Sequence, residues 1–202
     1  MTNLFEHCSG QTLSANLGWL NEPADWYIED GKVTITVSPI SDFFIDPGGE
    51  PVKASAPFLH TIVKGDFSIV TRVQVDMKEQ YDSGCLMVRV DDTNWAKVCF
   101  EYFEEQPSIL SVVTRGNSDD CVSAPVDVNK PYLRVARAGN SFAFHYSQDG
   151  EKWKLVRYFG LDCPEEIKVG IVAQSPIGQG TTVIFTDVQL QHGVTGSVRR
   201  VE

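Results

Sequence analysis

The chain is short of positive charge, cysteine and helical periodicity, and each shortage narrows what it can be. Seventeen Lys and Arg stand against 27 Asp and Glu in 202 residues, a formal net charge of −10. Phosphate binding needs a basic field, so this balance argues against a nucleic-acid surface and disfavours an anionic membrane. No apolar run approaches the roughly 20 residues a membrane-spanning helix needs. The opening MTNLFEHCSGQTLS has neither the basic start nor the apolar stretch of a secretion signal. Five cysteines, at positions 8, 85, 99, 121 and 163, are odd in number and show no C-x-x-C spacing. Free thiols and a cytoplasmic, reducing setting are therefore expected. The four histidines also lack ligand spacing, so neither a metal nor a cofactor is expected.

Signatures of nucleophilic and phosphoryl chemistry are missing as well. G-x-S-x-G does not occur, and no nucleophile motif assigns a histidine to any Ser or Cys. Pro47-Gly48-Gly49 has no helix after it and reads as a turn rather than a phosphate loop. Asp82 offers one carboxylate, against the six or more oxygens calcium takes.

What the chain has is alternation. KVTITV, FLHTIV, FSIVTRVQV, CLMVRV, WAKVCFEYF, SILSVVT, YLRVARA, SFAFHYS, WKLVRYF, IKVGIVA and TTVIFTDVQLQ read as strands. Turn signals such as Glu29-Asp30-Gly31 and Gly178-Gln179-Gly180 separate them. Many short strands with close turns predict an all-β protein of two antiparallel sheets, one domain over residues 1–192, with 193–202 as a loose tail. Trp19 and Trp26 are expected to pack an N-terminal strand against it.

Two hairpins give registers. Gly139-Asn140 and Asp149-Gly150, read as two-residue turns, pair Val135 with Phe144, Leu133 with Tyr146, Tyr146 with Trp153 and Phe144 with Leu155 on one core face. The opposite face collects Arg134, His145 and Lys154, with His145 outward. In YDSGCLMVRVDDTNWAKVCFEYF a three-residue turn at Asp92-Thr93-Asn94, with Asn94 left-handed, pairs Val88 with Val98 and Val90 with Ala96. The second face of that hairpin then sets Arg89 opposite Lys97 and places Cys85 and Cys99 diagonally. Two cations facing each other ask for an anionic neighbour, from the protein or from a ligand.

The segments W-L-N-E-P (Trp19 to Pro23), S-D-F-F (Ser41 to Phe44), Y-D-S-G-C-L-M-V (Tyr81 to Val88), W-A-K-V-C-F-E (Trp95 to Glu101) and S-V-V-T (Ser111 to Thr114) resemble domain-of-unknown-function family 1349. Asp82-Ser83-Gly84-Cys85 stands for the family's D-Q-A-G. Ser118-Asp119-Asp120-Cys121 is similar to its S-D-W-S, without the aromatic. The resemblance covers roughly Trp19 to Leu190. It implies a concanavalin A-like jelly roll, the lectin-like fold also similar to the C-terminal sandwich of family 43 β-xylosidases. Some fungal members are called regulation-of-enolase proteins, which implies a protein partner; fold alone fixes no activity.

Glucanases of this fold place paired acids as E-x-D-x-E, and that pattern is absent. Glu104 has the opposite parity to Glu101, Glu105 lies near a turn, and Asp91 is far from Glu101 along the hairpin. No catalytic residue is therefore assigned. A sugar site asks for an aromatic platform and a few orienting polar groups. Trp95, Lys97, Arg89 and Glu101 share one face and are the candidate ligand-binding set; the competing reading puts Trp95 under a loop. The expectation is a non-catalytic binding protein for a carbohydrate or a protein partner. The alternative is a glycoside hydrolase-like enzyme with carboxylates from distant strands. Glu101 tied up by Arg89 or Lys97 would favour the binder, and Glu101 facing a second acid across a groove would favour the enzyme.

Overall fold

Alternation carries through the whole chain. In the structure, a computed structural model describing residues 2–194 and 196–201, no helix forms among the described residues. The strands run β1 (Thr2–Asn3), β2 (Leu17–Leu20), β3 (Asp25–Glu29), β4 (Lys32–Thr36), β5 (Phe43–Phe44), β6 (Lys53–Ala54), β7 (Phe58–Lys64) and β8 (Phe67–Val75). They continue as β9 (Ser83–Arg89), β10 (Asn94–Phe103), β11 (Gln106–Arg115), β12 (Asn117–Pro125), β13 (Tyr132–Ala138) and β14 (Ser141–Ser147). The last three are β15 (Trp153–Gly160), β16 (Glu166–Gln174) and β17 (Thr182–His192).

Two antiparallel sheets result. One has the order β15-β14-β13-β8-β17-β4-β3, with β1 added to β17; the other has the order β12-β11-β10-β9-β16-β7-β2. Their facing sides form one apolar cluster, to which Leu86, Val88, Val98 and Phe100 contribute from one sheet and Ile69, Val135, Phe144 and Phe185 from the other. The sheets approach so closely at Gly84 that an added Cβ would lie 2.5 Å from Val73 and 2.7 Å from Val183. The glycine of Y-D-S-G-C is thus a spacing device, and it stands opposite the Phe100 ring.

The seven-stranded sheet is buried on its outer side too. Phe43, Ala56, Phe58, Cys85, Met87, Trp95, Cys99 and Val112 form a second cluster there. Residues 41–56, which include the small β5–β6 sheet, lie over it. That cover is laced down by Ser41 N to Ser175 O (3.1 Å), Ser118 N to Ile45 O (2.8 Å) and Ile45 N to the Ser118 hydroxyl (2.9 Å). β9 and most of β10 are therefore buried on both parities, Arg89, Lys97 and Glu101 included.

Two hairpin registers need correction. In the β9–β10 hairpin Val88 faces Ala96, Leu86 faces Val98, Arg89 faces Trp95 and Lys97 faces Met87. The pairing is shifted by two residues, which keeps every side chain on its expected face. The turn is Asp91-Asp92-Thr93, because the Asp91 carboxylate accepts from Thr93 N (2.8 Å) and Asn94 Nδ2 (3.0 Å), while Val90 N bonds Asn94 O (2.9 Å). Asn94 is extended and pairs with Arg115 instead of turning left-handed. As a consequence Cys99 lies directly opposite Cys85 rather than diagonally.

At β13–β14 the pairs Val135–Phe144 and Leu133–Tyr146 are as expected. At β14–β15 a bulge after Phe144 sets Tyr146 opposite Lys154, Ser147 opposite Trp153 and Phe144 opposite Arg157. The Asp149 carboxylate there accepts from Glu151 N (2.9 Å) and Lys152 N (2.8 Å), widening the turn beyond two residues. Trp153 therefore leaves the core and packs half-buried against Tyr132, and Leu155 is exposed. His145 is not outward into solvent: it is 2% exposed, held between Arg134 (3.2 Å) and the carbonyl of Arg199 (3.3 Å). Val198 of the C-terminal segment packs beside it on Ala136 and Ala143.

Candidate functional site

A cavity of about 230 Å³ opens on the outer face of the seven-stranded sheet, at the edge of the cover. β10 supplies Lys97, Glu101 and Phe103; alternate positions on one strand share a face, so Lys97 and Glu101 point the same way. The cover supplies Asp42, Phe44 and Lys53. Val112, the exposed Asp120 and the end of β16 at Gln174 form other walls, with Tyr81 at the entrance to β9.

Lys97 is 2% exposed, with its ammonium 5.7 Å from the centre of the Trp95 ring. Its ammonium donates to the Phe43 carbonyl (2.8 Å) and Gln174 Oε1 (2.8 Å) and lies 3.5 Å from Asp42 Oδ1. Burial works to lower its pKa, yet Asp42, Cys99, Cys85 and Glu101 together raise it above the ordinary value. Through these contacts Lys97 pins the cover to β16. Lys53 sits 3.8 Å from the other Asp42 oxygen and remains half exposed.

Glu101 is 6% exposed, and its carboxyl faces the cavity. Among the described residues it makes no hydrogen bond or ion pair: Arg89 is held by Asp92 and Lys97 by Asp42. Burial pushes its pKa well up, the Lys97 ammonium draws it back in part, and Cys85, Asp120 and Asp42 add to the rise. The carboxyl opens onto the cavity instead of being sealed among protein atoms, and a carboxyl perturbed in this way in a cavity is a marker of functional sites.

Tyr81 carries a second mark, a φ of 73°. That conformation costs a bulky L-residue on the order of 1–3 kcal/mol and persists only where its surroundings enforce it. Tyr81 N bonds Tyr102 O (2.7 Å), and Asp82 anchors the turn. The Asp82 carboxylate accepts from Ser175 Oγ (2.6 Å), Lys78 N (3.0 Å) and Glu79 N (3.0 Å). Protein donors thus take up Asp82, and among the described residues no cluster of His, Cys, Asp or Glu has the arrangement to hold a metal ion.

Of the four residues expected to form the floor of a cleft, the structure brings Lys97 and Glu101 into the cavity. Trp95 is 1% exposed, with Phe43 edge-on against it at 6.2 Å, and presents no stacking face. Arg89 is 8% exposed and lies outside the cavity, opposite Trp95. Asp42, Phe44, Tyr81, Phe103, Asp120 and Gln174 were not in the expected set. The signal for most of them lies in the segments that carry the family resemblance: S-D-F-F holds Asp42 and Phe44, Y-D-S-G-C begins at Tyr81, and S-D-D-C holds Asp120.

Comparison with known proteins agrees. Residues 19–193 match the family described as "Protein of unknown function (DUF1349)". The chain belongs to the DUF1349 family. "Regulation of enolase protein 1" of Saccharomyces cerevisiae is 30% identical to this DUF1349 chain over 173 residues, 85% of the chain and 87% of that protein. A crystal structure of a functionally unknown Saccharomyces cerevisiae protein matches at TM-score 0.84 and 29% identity, covering 90% of this chain and 98% of that one. Lectin I-B4 from Griffonia simplicifolia, in its metal-free form, matches at TM-score 0.60 and 11% identity, covering 90% and 94%. The GH43 protein BlXynB of Bacillus licheniformis matches at 0.71 and 15%, covering 88% of this chain but 37% of that one. At such identities the likeness is one of fold, and the DUF1349 chain is a jelly-roll β-sandwich of the concanavalin A-like kind.

Proposed function

We propose that this DUF1349 chain is a non-catalytic binding protein that takes a small carbohydrate in the cavity on its seven-stranded sheet. The observation that carries the reading is the set of aromatic rings, Phe44, Tyr81 and Phe103, around one small space into which Glu101 opens. Aromatic faces suit the C–H face of a sugar ring, and a few fixed polar groups suit its hydroxyls. The volume lies below the ~300–1,000 Å³ of sites for drug-sized ligands, which favours a single ring. The free thiols support residence in a reducing compartment.

The second reading is an enzyme acting on sugars. It draws on Glu101, which neither Arg89 nor Lys97 ties up, and on Asp120 and Asp42 in the same cavity. Against it, Asp42 is engaged by two lysines. Asp120 pairs through Val112 with Lys97, four residues along β10 from Glu101, so the two acids start from backbone positions roughly 13 Å apart along the strand. Glycan-array screening followed by calorimetry tests the binder. The array hits are then incubated with wild type and Glu101→Gln, and hydrolysis abolished in the variant would establish the enzyme instead.

A further inference from the structure

The cavity's charges are unevenly satisfied. The Lys97 ammonium has three N–H groups, and three acceptors already surround it: Phe43 O and Gln174 Oε1 at 2.8 Å and Asp42 Oδ1 at 3.5 Å. None of its N–H groups is left over to hold a ligand anion. Lys53 lies beside the second Asp42 oxygen at 3.8 Å. Arg89, the other buried cation of this face, is turned to Asp92 and does not reach the cavity.

Glu101 is in the opposite condition. More than nine-tenths of it is buried, its carboxyl faces the cavity, and among the described residues no donor bonds it. Asp120 faces the same space from β12. Counting Asp42, Glu101 and Asp120 against Lys97 and Lys53 leaves the lining one negative charge in excess when all are ionised. The remaining wall includes Phe44, Tyr81 and Phe103, with the Tyr81 and Phe103 centroids 6.2 Å apart. Aromatic rings in a partly dry site attract cations as well as apolar ring faces.

We infer that the preferred ligand of this cavity is an amino sugar, a single ring whose protonated amine lies against the Glu101 carboxyl. The inference rests on the carbohydrate reading of the site and refines it. An ammonium supplies the cation and the N–H donors that Glu101 lacks, and a charge-assisted hydrogen bond to a buried carboxylate is the stronger kind. An acidic sugar would bring a further negative charge beside Glu101 and Asp120. A neutral sugar would bring no cation of its own to the Glu101 carboxyl, which Lys97 offsets only in part.

Calorimetric titration of the full chain near pH 7 with matched sets tests this: glucose, glucosamine, N-acetylglucosamine and glucuronate, then the galactose and mannose series. The amine-bearing member is expected to bind on the order of tenfold tighter than its parent and its N-acetyl form. That preference should vanish in Glu101→Gln. In wild type, ¹³C NMR of the Glu101 carboxyl should show its titration moving to lower pH when the amino sugar is added, a readout that needs no variant. Neutral or acidic rings binding as tightly as the amine, or a Glu101 titration that the amine does not move, overturns the amino-sugar assignment and leaves the carbohydrate reading standing. Failure of every ring to bind at tens of millimolar overturns both.

Discussion

Phe43 packs edge-on against Trp95 at 6.2 Å, and this contact seals the outer face of the seven-stranded sheet beneath residues 41–56. A tryptophan on the exposed side of a hairpin thereby becomes the centre of a second apolar cluster. Trp95→Ala is expected to destabilise the protein by about 3–5 kcal/mol, as large-to-small changes at fully buried aromatics do. Urea unfolding measures it. A loss within the ordinary range of a surface substitution would mean that the cover does not close over this ring.

Lys97 and Asp42 form a buried ion pair between β10 and the cover. Removing one partner leaves the other charge in a dry site, so Lys97→Met should cost about 3–5 kcal/mol. The two single losses share the Lys97–Asp42 interaction, so the double variant Lys97→Met, Asp42→Asn should be more stable than their sum predicts, with Lys53 at 3.8 Å from Asp42 reducing the coupling. A double-mutant cycle by urea unfolding reads the coupling. Additive losses would show that the pair does not hold the cover.

The common face of Arg89, Trp95, Lys97 and Glu101 was legible because side-chain parity survives any even shift in register. The two-residue shift itself was not legible. Both rows of β9 and β10 are buried, and an even shift leaves each row on its own face, so pattern alone does not choose between registers that differ by two. The choice was made by the Asp91-capped turn and by Gly84 opposite Phe100. The cover escaped because residues 41–56 hold only two two-residue strands, too short to show a period. β12 escaped because NSDDCVSAP is a polar, mostly exposed edge strand. With the cover unseen, Trp95 read as a platform, and the cavity's second wall had no residues to propose.

The thiols should separate by burial. Cys121 is exposed and Cys163 half-buried, while Cys8, Cys85 and Cys99 are enclosed. Burial, together with the neighbouring Cys85, pushes the Cys99 thiol well above its ordinary value, so little thiolate is available there. A thiol-reactive chromophore added to native, reduced protein should label Cys121 first and Cys163 more slowly. Five labels are expected after denaturation. A denatured count of three or one would reveal disulfides.

His145 links stability to acid. Burial holds its pKa down to about 4, with the Arg199 carbonyl opposing and Arg134 assisting, against an ordinary value of 6.5. Between those values the unfolded chain takes up a proton that the folded protein does not, so stability falls as pH falls through the window. His60, also lowered to about 4 by burial, acts in the same direction. His145→Gln should therefore lose less stability than wild type from about pH 7 to about pH 4, in urea midpoints taken across that range. Parallel pH profiles would show that His145 is protonated within the fold.

Glu101 carries the opposite sign. Its folded pKa is raised by burial, with Lys97 offsetting part of the rise, so the folded protein keeps its proton after the unfolded chain has lost it. Over that window the folded state binds more protons than the unfolded state, and stability falls as pH rises. Glu101→Gln has the same shape and no titration. It should match wild type below the ordinary carboxylate range and become the more stable of the two above it. The comparison is made by urea unfolding from about pH 4 to about pH 8. A difference that does not change with pH would show that the Glu101 carboxyl is as well satisfied in the fold as in water, and the case for a ligand at that oxygen would go with it.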